Sequence, residues 1–353
     1  NEYMKEINMF GDEIQLRKLT KLGDPLEKIN RVIDWEIFRE AIEKAIRKDM
    51  SKGGRPPFDA VFMFKIVMLQ QWNNLSDENT EFLINDRMSY QRFLNITPGG
   101  KIPDKNTLWD FREILRKSGV EIKLFEMFNK ILEENNLVTH EGSILDAAFV
   151  TVPKRHTPKK DDEALKEGEE PKGLLKKAEE KETKGEIKNK KHVLSQMDLD
   201  ARWTKKNNEC FFGYKNHVKC DSKSKLITAF TITDASVHDS QVFVDLIDEK
   251  DKDIKVDSGY SGEKYEKAIL EKFPHIKLHI CSKPYRNKPL TEEVKESNKL
   301  ISKIRCRIEH IFGYMTRFMG NLIARCHGIS RITSHLCNKN LAYNLKRYVY
   351  LRG

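Results

Sequence analysis

Three short stretches of this 353-residue chain place an acid where burial makes it costly unless it is paired or holds a metal. Asp146 interrupts the apolar run Ile144-Leu145-Asp146-Ala147-Ala148-Phe149. Asp257 follows Ile254-Lys255-Val256 and precedes Ser258-Gly259-Tyr260. Glu309 closes the basic stretch Arg305-Cys306-Arg307-Ile308-Glu309. Three carboxylates drawn from such distant positions can hold two divalent cations, and a pair of cations about 4 Å apart can bracket a scissile phosphodiester. Oxygen donors suit Mg²⁺ or Mn²⁺ better than zinc. One ion lowers the pKa of an attacking water or 3′-hydroxyl and the other stabilises the leaving oxygen, so no covalent protein intermediate is needed. Alone, each aspartate reads equally well as a helix cap or a surface residue. Arg305 stands four residues before Glu309 on the same helix face, placed to hold that carboxylate or to meet a phosphate.

The elements around these residues fall into two halves. Up to about residue 136 the pattern is helical. Trp35, Phe38, Ile42 and Ile46 recur at helical spacing, Gly53-Gly54-Arg55-Pro56-Pro57 breaks it, and Phe58 to Trp72 forms a strongly apolar helix. Ser76 is an N-cap for the next helix. Thr97-Pro98-Gly99-Gly100 reads as a loop, and Asp104 or Asn106 opens a helix with Leu108, Phe111 and Leu115 on one stripe. Val120 to Glu134 is a further helix. From 137 to 353 the pattern alternates: strands at Ser143–Val150, Tyr214–Lys219 and Leu226–Thr233, a helix at Gln241–Ile247, a strand at Ile254–Val256, a helix at Lys264–Lys272, and a strand at Lys277–Cys281. A long helix from Thr291 to Met319 carries Glu309, and a last one ends near Tyr350. This order describes an α/β domain with the first strand central and the fourth beside it, preceded by an all-α domain. Residues 154–191 hold 13 Lys or Arg and 10 Asp or Glu, too charged to form a core, and read as an insertion that is a solvated loop or an exposed charged helix.

Two further clusters mix polar chemistry with strand patterning. Phe212-Gly213-Tyr214-Lys215-Asn216-His217 offers Lys215, Asn216 and His217 as DNA contacts. Ala235-Ser236-Val237-His238-Asp239-Ser240 offers His238 as a DNA contact, a water-positioning group or a loop closure, with Asp239 near a helix N-cap. A formal charge of +10 favours a polyanionic partner. The six cysteines contain no C-x-x-C pair, which argues against a zinc ribbon or a redox motif, and reduced, buried thiols in a cytosolic protein fit them best. The polar N-terminus does not read as a signal peptide, and the longest apolar run, Phe58 to Leu69, is too short to span a bilayer.

Taken in order, these motifs resemble those of bacterial insertion-sequence transposases of the DDE type. The resemblance rests on Leu145-Asp146-Ala147, Asp200-Ala201-Arg202-Trp203, Gly213-Tyr214-Lys215-Asn216-His217, Ala235-Ser236-Val237-His238-Asp239-Ser240, Asp257-Ser258-Gly259-Tyr260 and Arg305-Cys306-Arg307-Ile308-Glu309-His310-Ile311-Phe312. The final His335-Leu336 to Asn344-Leu345-Lys346-Arg347 helix and the Arg55-Pro56-Pro57 segment add to it. It implies an RNase H-like mixed sheet flanked by helices, with Asp146, Asp257 and Glu309 as catalytic metal ligands for two Mg²⁺ or Mn²⁺ ions. It also implies recognition of terminal inverted repeats in double-stranded DNA by a homodimer or higher multimer, followed by strand cleavage and transfer into target DNA. Two positions depart from some relatives: Ser302 stands where they carry Tyr, and Thr316 where they carry Lys, with Arg317 beside it as a replacement phosphate contact. A nuclease of the same fold that does not transpose, or a domesticated DNA-binding protein without catalysis, are the alternatives.

Overall fold

The computed structural model describes residues 11–46, 56–97, 99–154, 159–183, 197–206, 208–284 and 289–353. The Gly53-Gly54-Arg55 break and residues 184–191 of the charged insertion lie outside these. The chain divides into two compact units: residues up to Phe128 together with Asn338–Gly353, and Asn129–Cys337.

The first unit is all-helical. It contains α1 (Gly11–Leu22), α2 (Pro25–Val32), α3 (Arg39–Ile46), α4 (Ala60–Asn73), α5 (Asp77–Asp86), α6 (Met88–Leu94), α7 (Lys105–Ser118) and the start of α8 (Val120–Glu134). Trp35–Phe38, expected to begin a helix, forms a 3₁₀ turn capped by Asp34 before α3 starts. Its core is α4, in which Asp59 accepts the Phe62 N–H as N-cap and Asn74 adopts the left-handed conformation at the other end. Nearly every residue of α4 is buried, and Trp35, Phe38, Phe64, Trp72 and Phe93 form an aromatic cluster around it. The Lys65 ammonium lies over the Trp35 and Phe93 rings, which lets a charged residue sit inside an apolar helix. Ser76 and Asp104 cap α5 and α7 as expected.

The second unit has one sheet, built from β1 (Ser143–Thr151), β2 (Arg202–Lys206), β3 (Glu209–Asp221), β4 (Ile227–Asp234), β5 (Asp253–Val256) and β6 (Lys277–Ile280). β1 is central. It pairs antiparallel with β3 on one side and parallel with β5 on the other, and β6 continues parallel beyond β5. The far edge of β3 is shared by two strands: β2 pairs with Glu209–Gly213 and β4 with Tyr214–Cys220. An antiparallel meander joined to a parallel pair is the RNase H-like mixed sheet expected. β2 was not anticipated, because Arg202-Trp203-Thr204-Lys205-Lys206 lacks an apolar alternation, and β3 is twice as long as the strand read from its apolar centre.

Helices pack against both faces. Leu145, Ile254 and Val256 meet Phe243, Leu246, Tyr260, Ile269 and Phe273, with Ile269 on α11 (Glu263–Lys272). α12 (Glu292–Phe318) contacts β1 and β5 and buries Ile301, Ile308, Ile311 and Met315. α13 (Ile329–Leu351) follows. Gln241–Ile247 is not the expected helix; two 3₁₀ turns, Asp239–Gln241 and Val244–Leu246, occupy that stretch. Val242, Phe243, Leu246 and Ile247 are all buried, so core packing, not helical propensity, sets this backbone. The described part of the charged insertion forms α9 (Lys159–Lys166) and α10 (Lys172–Thr183), with Leu174 buried and the Gly173 N–H donating to Asp161.

Candidate active site

The sheet register brings the two aspartates together. Ile144 pairs with Lys255 in parallel register, so two residues further on Asp146 stands level with Asp257, and strand alternation puts both on one face. Asp146 lies mid-strand, opposite Val218 of β3, with its Oδ1 accepting the Ala147 N–H at 2.8 Å. Asp257 ends β5 and caps the Ser258–Tyr260 turn, its Oδ1 accepting the Gly259 N–H at 2.7 Å. A Cβ at Gly259 would sit 2.8 Å from Asp257 Oδ1, so a side chain there displaces this carboxylate oxygen. Both carboxylates face one guanidinium. Arg305 Nη2 is 3.3 Å from Asp146 Oδ2 and 4.0 Å from Asp257 Oδ2.

Burial pushes the Asp146 carboxyl up to about 6, and the Asp257 charge adds to this. The Ala147 N–H, Arg305 and Lys206 act in the opposite direction. Lys206, at the end of β2, was not singled out in the sequence, because that strand was not. Glu309 lies on α12 one turn beyond Arg305. Ile308 and Ile311 turn inward, and Glu309 is exposed. The expected Arg305–Glu309 pairing is therefore replaced by Arg305–Asp146, while Arg307 donates to the Ser222 carbonyl at 2.6 Å. Ser302, Thr316 and Arg317 are exposed on the same helix.

The strand read as a DNA contact is interior. Lys215, Asn216 and His217 are buried, since β3 has neighbours on both edges and cover on both faces. Lys215 Nζ donates to the Val237 carbonyl at 2.7 Å and to Asp239 Oδ1 at 2.9 Å. His217 Nε2 meets Thr233 Oγ1 at 2.9 Å, and burial pulls the imidazole down to about 4, so it is neutral in the fold. Their burial overturns the expected DNA contacts: Lys215 instead supports the loop that carries His238, and His217 holds Thr233. His238 is exposed, and its Nδ1 meets Ser240 at 2.8 Å and caps the first 3₁₀ turn, a role expected of Asp239. Gly213, in the same phrase, has φ +147, and a Cβ there would lie 2.1 Å from the Val150 carbonyl oxygen.

Among the described residues, the group of metal-competent side chains whose ligand atoms lie within 4.8 Å of one another is His140, Asp248 and Asp251, not the proposed triad. Its two aspartates already share a cation: Lys219, fully buried, donates to Asp248 Oδ2 and Asp251 Oδ2 at 2.7 Å each, and Ser143 Oγ donates to Asp251 Oδ1 at 2.6 Å. The Asp146–Asp257 pair fits a hard divalent cation better. It offers only oxygen donors, Asp257 is partly open to solvent, and burial destabilises the Asp146 carboxylate in the absence of a stronger cation. Cys306 Sγ donates to the Lys303 carbonyl, and His310 Nδ1 lies 2.8 Å from Lys225 Nζ. Among the described residues no helix is long and apolar enough to cross a membrane.

Two family models match the chain. The family model described as Transposase DDE domain matches residues 139–345, which contain all three acids and Arg305. The model described as Transposase domain (DUF772) matches residues 14–113 of the helical unit. A solved structure, the cryo-EM structure of a piggyBac transposase synaptic complex with hairpin DNA, is similar at 10% identity and a TM-score of 0.45, covering 95% of this chain and 76% of that one. With more than half of its length matched by the DDE-domain model, the chain belongs to the DDE transposase family.

Proposed function

We propose that the chain is the transposase of a bacterial insertion sequence. It binds terminal inverted repeats in double-stranded DNA, acts as a homodimer or higher multimer, and performs metal-dependent strand cleavage followed by strand transfer. The observation that carries this reading is the level placement of Asp146 and Asp257 on adjacent parallel strands, facing one cationic group. When bound, two Mg²⁺ or Mn²⁺ ions supply Lewis-acid activation of the attacking oxygen and charge stabilisation of the leaving oxygen.

The chain's own residues prepare that chemistry. Asp146 and Asp257 present carboxylate oxygens from rigid strand positions, and the Ala147 and Gly259 N–H groups fix the orientation of each. Glu309, on the exposed flank of the helix that carries Arg305, is the third ligand in this reading and approaches from the solvent side. Arg317 and His238, both exposed, are proposed phosphate contacts. The helical unit is proposed to bind the transposon end, to mediate multimer formation, or both. The test is strand transfer on a labelled duplex carrying the repeat that flanks the gene, with Mg²⁺ or Mn²⁺. The reading expects joined products. Cleaved but never joined products point instead to a nuclease of the same fold.

A further inference from the structure

Among its described residues the second unit contains two places where a basic side chain meets two aspartates, and they differ in how completely the pairing is made. At one, the Lys219 ammonium is fully buried and donates to Asp248 and Asp251 at 2.7 Å each, a finished structural ion pair. At the other, Arg305 reaches Asp146 at 3.3 Å and Asp257 only at 4.0 Å. Its Nε is buried with no hydrogen-bond partner, although guanidinium and carboxylate can pair in a two-bond fork. A half-buried cation with long contacts and an unused donor is loosely held at that position, whereas Lys219 is locked.

From this contrast we infer that Arg305 is a built-in counter-cation that holds Asp146 and Asp257 together in the metal-free protein and yields its place when metal binds. Arg305 is thus a positioning residue that sets metal affinity. The inference rests on the proposed function, which makes these aspartates metal ligands. It carries a sign that a structural role does not share. Removing an ordinary supporting residue disorders the ligands and weakens metal binding. Removing a competing positive charge beside two carboxylates strengthens it.

The test is calorimetric titration of Mn²⁺ into the full chain without DNA, comparing wild type with Arg305→Gln, Arg305→Lys and Asp146→Asn, with melting curves in chelator and in saturating Mn²⁺. Arg305→Gln is expected to bind Mn²⁺ about tenfold more tightly than wild type. It should melt lower than wild type in chelator, with the gap closing in Mn²⁺. Arg305→Lys is expected to stay near wild type in affinity, because the charge is kept. Equal or weaker Mn²⁺ binding by a folded Arg305→Gln, alongside loss of binding in Asp146→Asn, overturns the counter-cation role alone. If Asp146→Asn leaves Mn²⁺ binding unchanged, the metal centre is misplaced, and the proposed function fails together with this inference.

Discussion

At the scale of single residues the site stores a cost. An aspartate raised to about 6 from the ordinary 3.8 binds its proton more tightly folded than unfolded. Its effect on stability is therefore favourable at low pH and is lost as pH rises through 6, amounting to about 3 kcal/mol at neutral pH. Asp146→Asn is expected to abolish strand cleavage and yet to raise the unfolding free energy of the metal-free protein by 2 to 3 kcal/mol at pH 8 (roughly, from the same linkage), with no gain at pH 4. Denaturant melts at the two pH values check this. Because a metal ligand must be deprotonated, metal affinity should fall about tenfold per unit below pH 6, which titration across pH 5 to 8 (roughly the working range) measures. Gly259→Ala presses a methyl against Asp257 and is expected to lower activity well before it lowers the melting temperature. Both aspartates were legible in the sequence because an acid inside or ending an apolar run violates local patterning. Arg305 was legible only as a helix neighbour of Glu309. Its partner across the sheet depends on which face of α12 turns inward, and the i,i+4 spacing does not contain that information.

Elements position these residues, and their constraints are separable from the chemistry. Gly213→Ala forces a side chain into the Val150 carbonyl at a positive φ and is expected to cost roughly 3 kcal/mol or more in a denaturant melt. Lys219→Met leaves Asp251 buried and Asp248 half-buried without their cation, and a loss on the order of 3 to 5 kcal/mol is expected, with Mn²⁺ affinity at the Asp146 site unchanged. The strands that carry Asp146 and Asp257 and the long helix beside them were readable, because the apolar residues around the acids keep strand or helical spacing. β2 was not, since its pairing with β3 is supplied by backbone bonds that its polar side chains do not announce. The same gap explains why Lys215, Asn216 and His217 read as a DNA contact. Their composition is that of a binding strand, and only the pairing with β1 on one edge and β4 on the other, with packing on both faces, shows that they are interior.

For the whole molecule, a chain with formal charge +10 that closes on DNA through phosphate contacts should release counterions, so its affinity for duplex DNA should fall steeply as salt rises. A flat dependence of the dissociation constant on salt argues against the nucleic-acid reading altogether. The change of hydrophobic period places a boundary near residue 136, whereas the compact units divide between Phe128 and Asn129, inside α8. The return of Asn338–Gly353 to the helical unit was not legible, since periodicity within a helix does not say which unit its apolar face joins. The central claim is that Asp146 and Asp257 together form the metal centre at which DNA strands are cut and joined. Its most direct test is divalent-metal-dependent cleavage and joining of a labelled transposon-end duplex by wild type and by Asp257→Asn. Asp257→Asn should remain folded, bind the duplex as wild type does and yield neither cleaved nor joined strands. Full activity in Asp257→Asn contradicts the account.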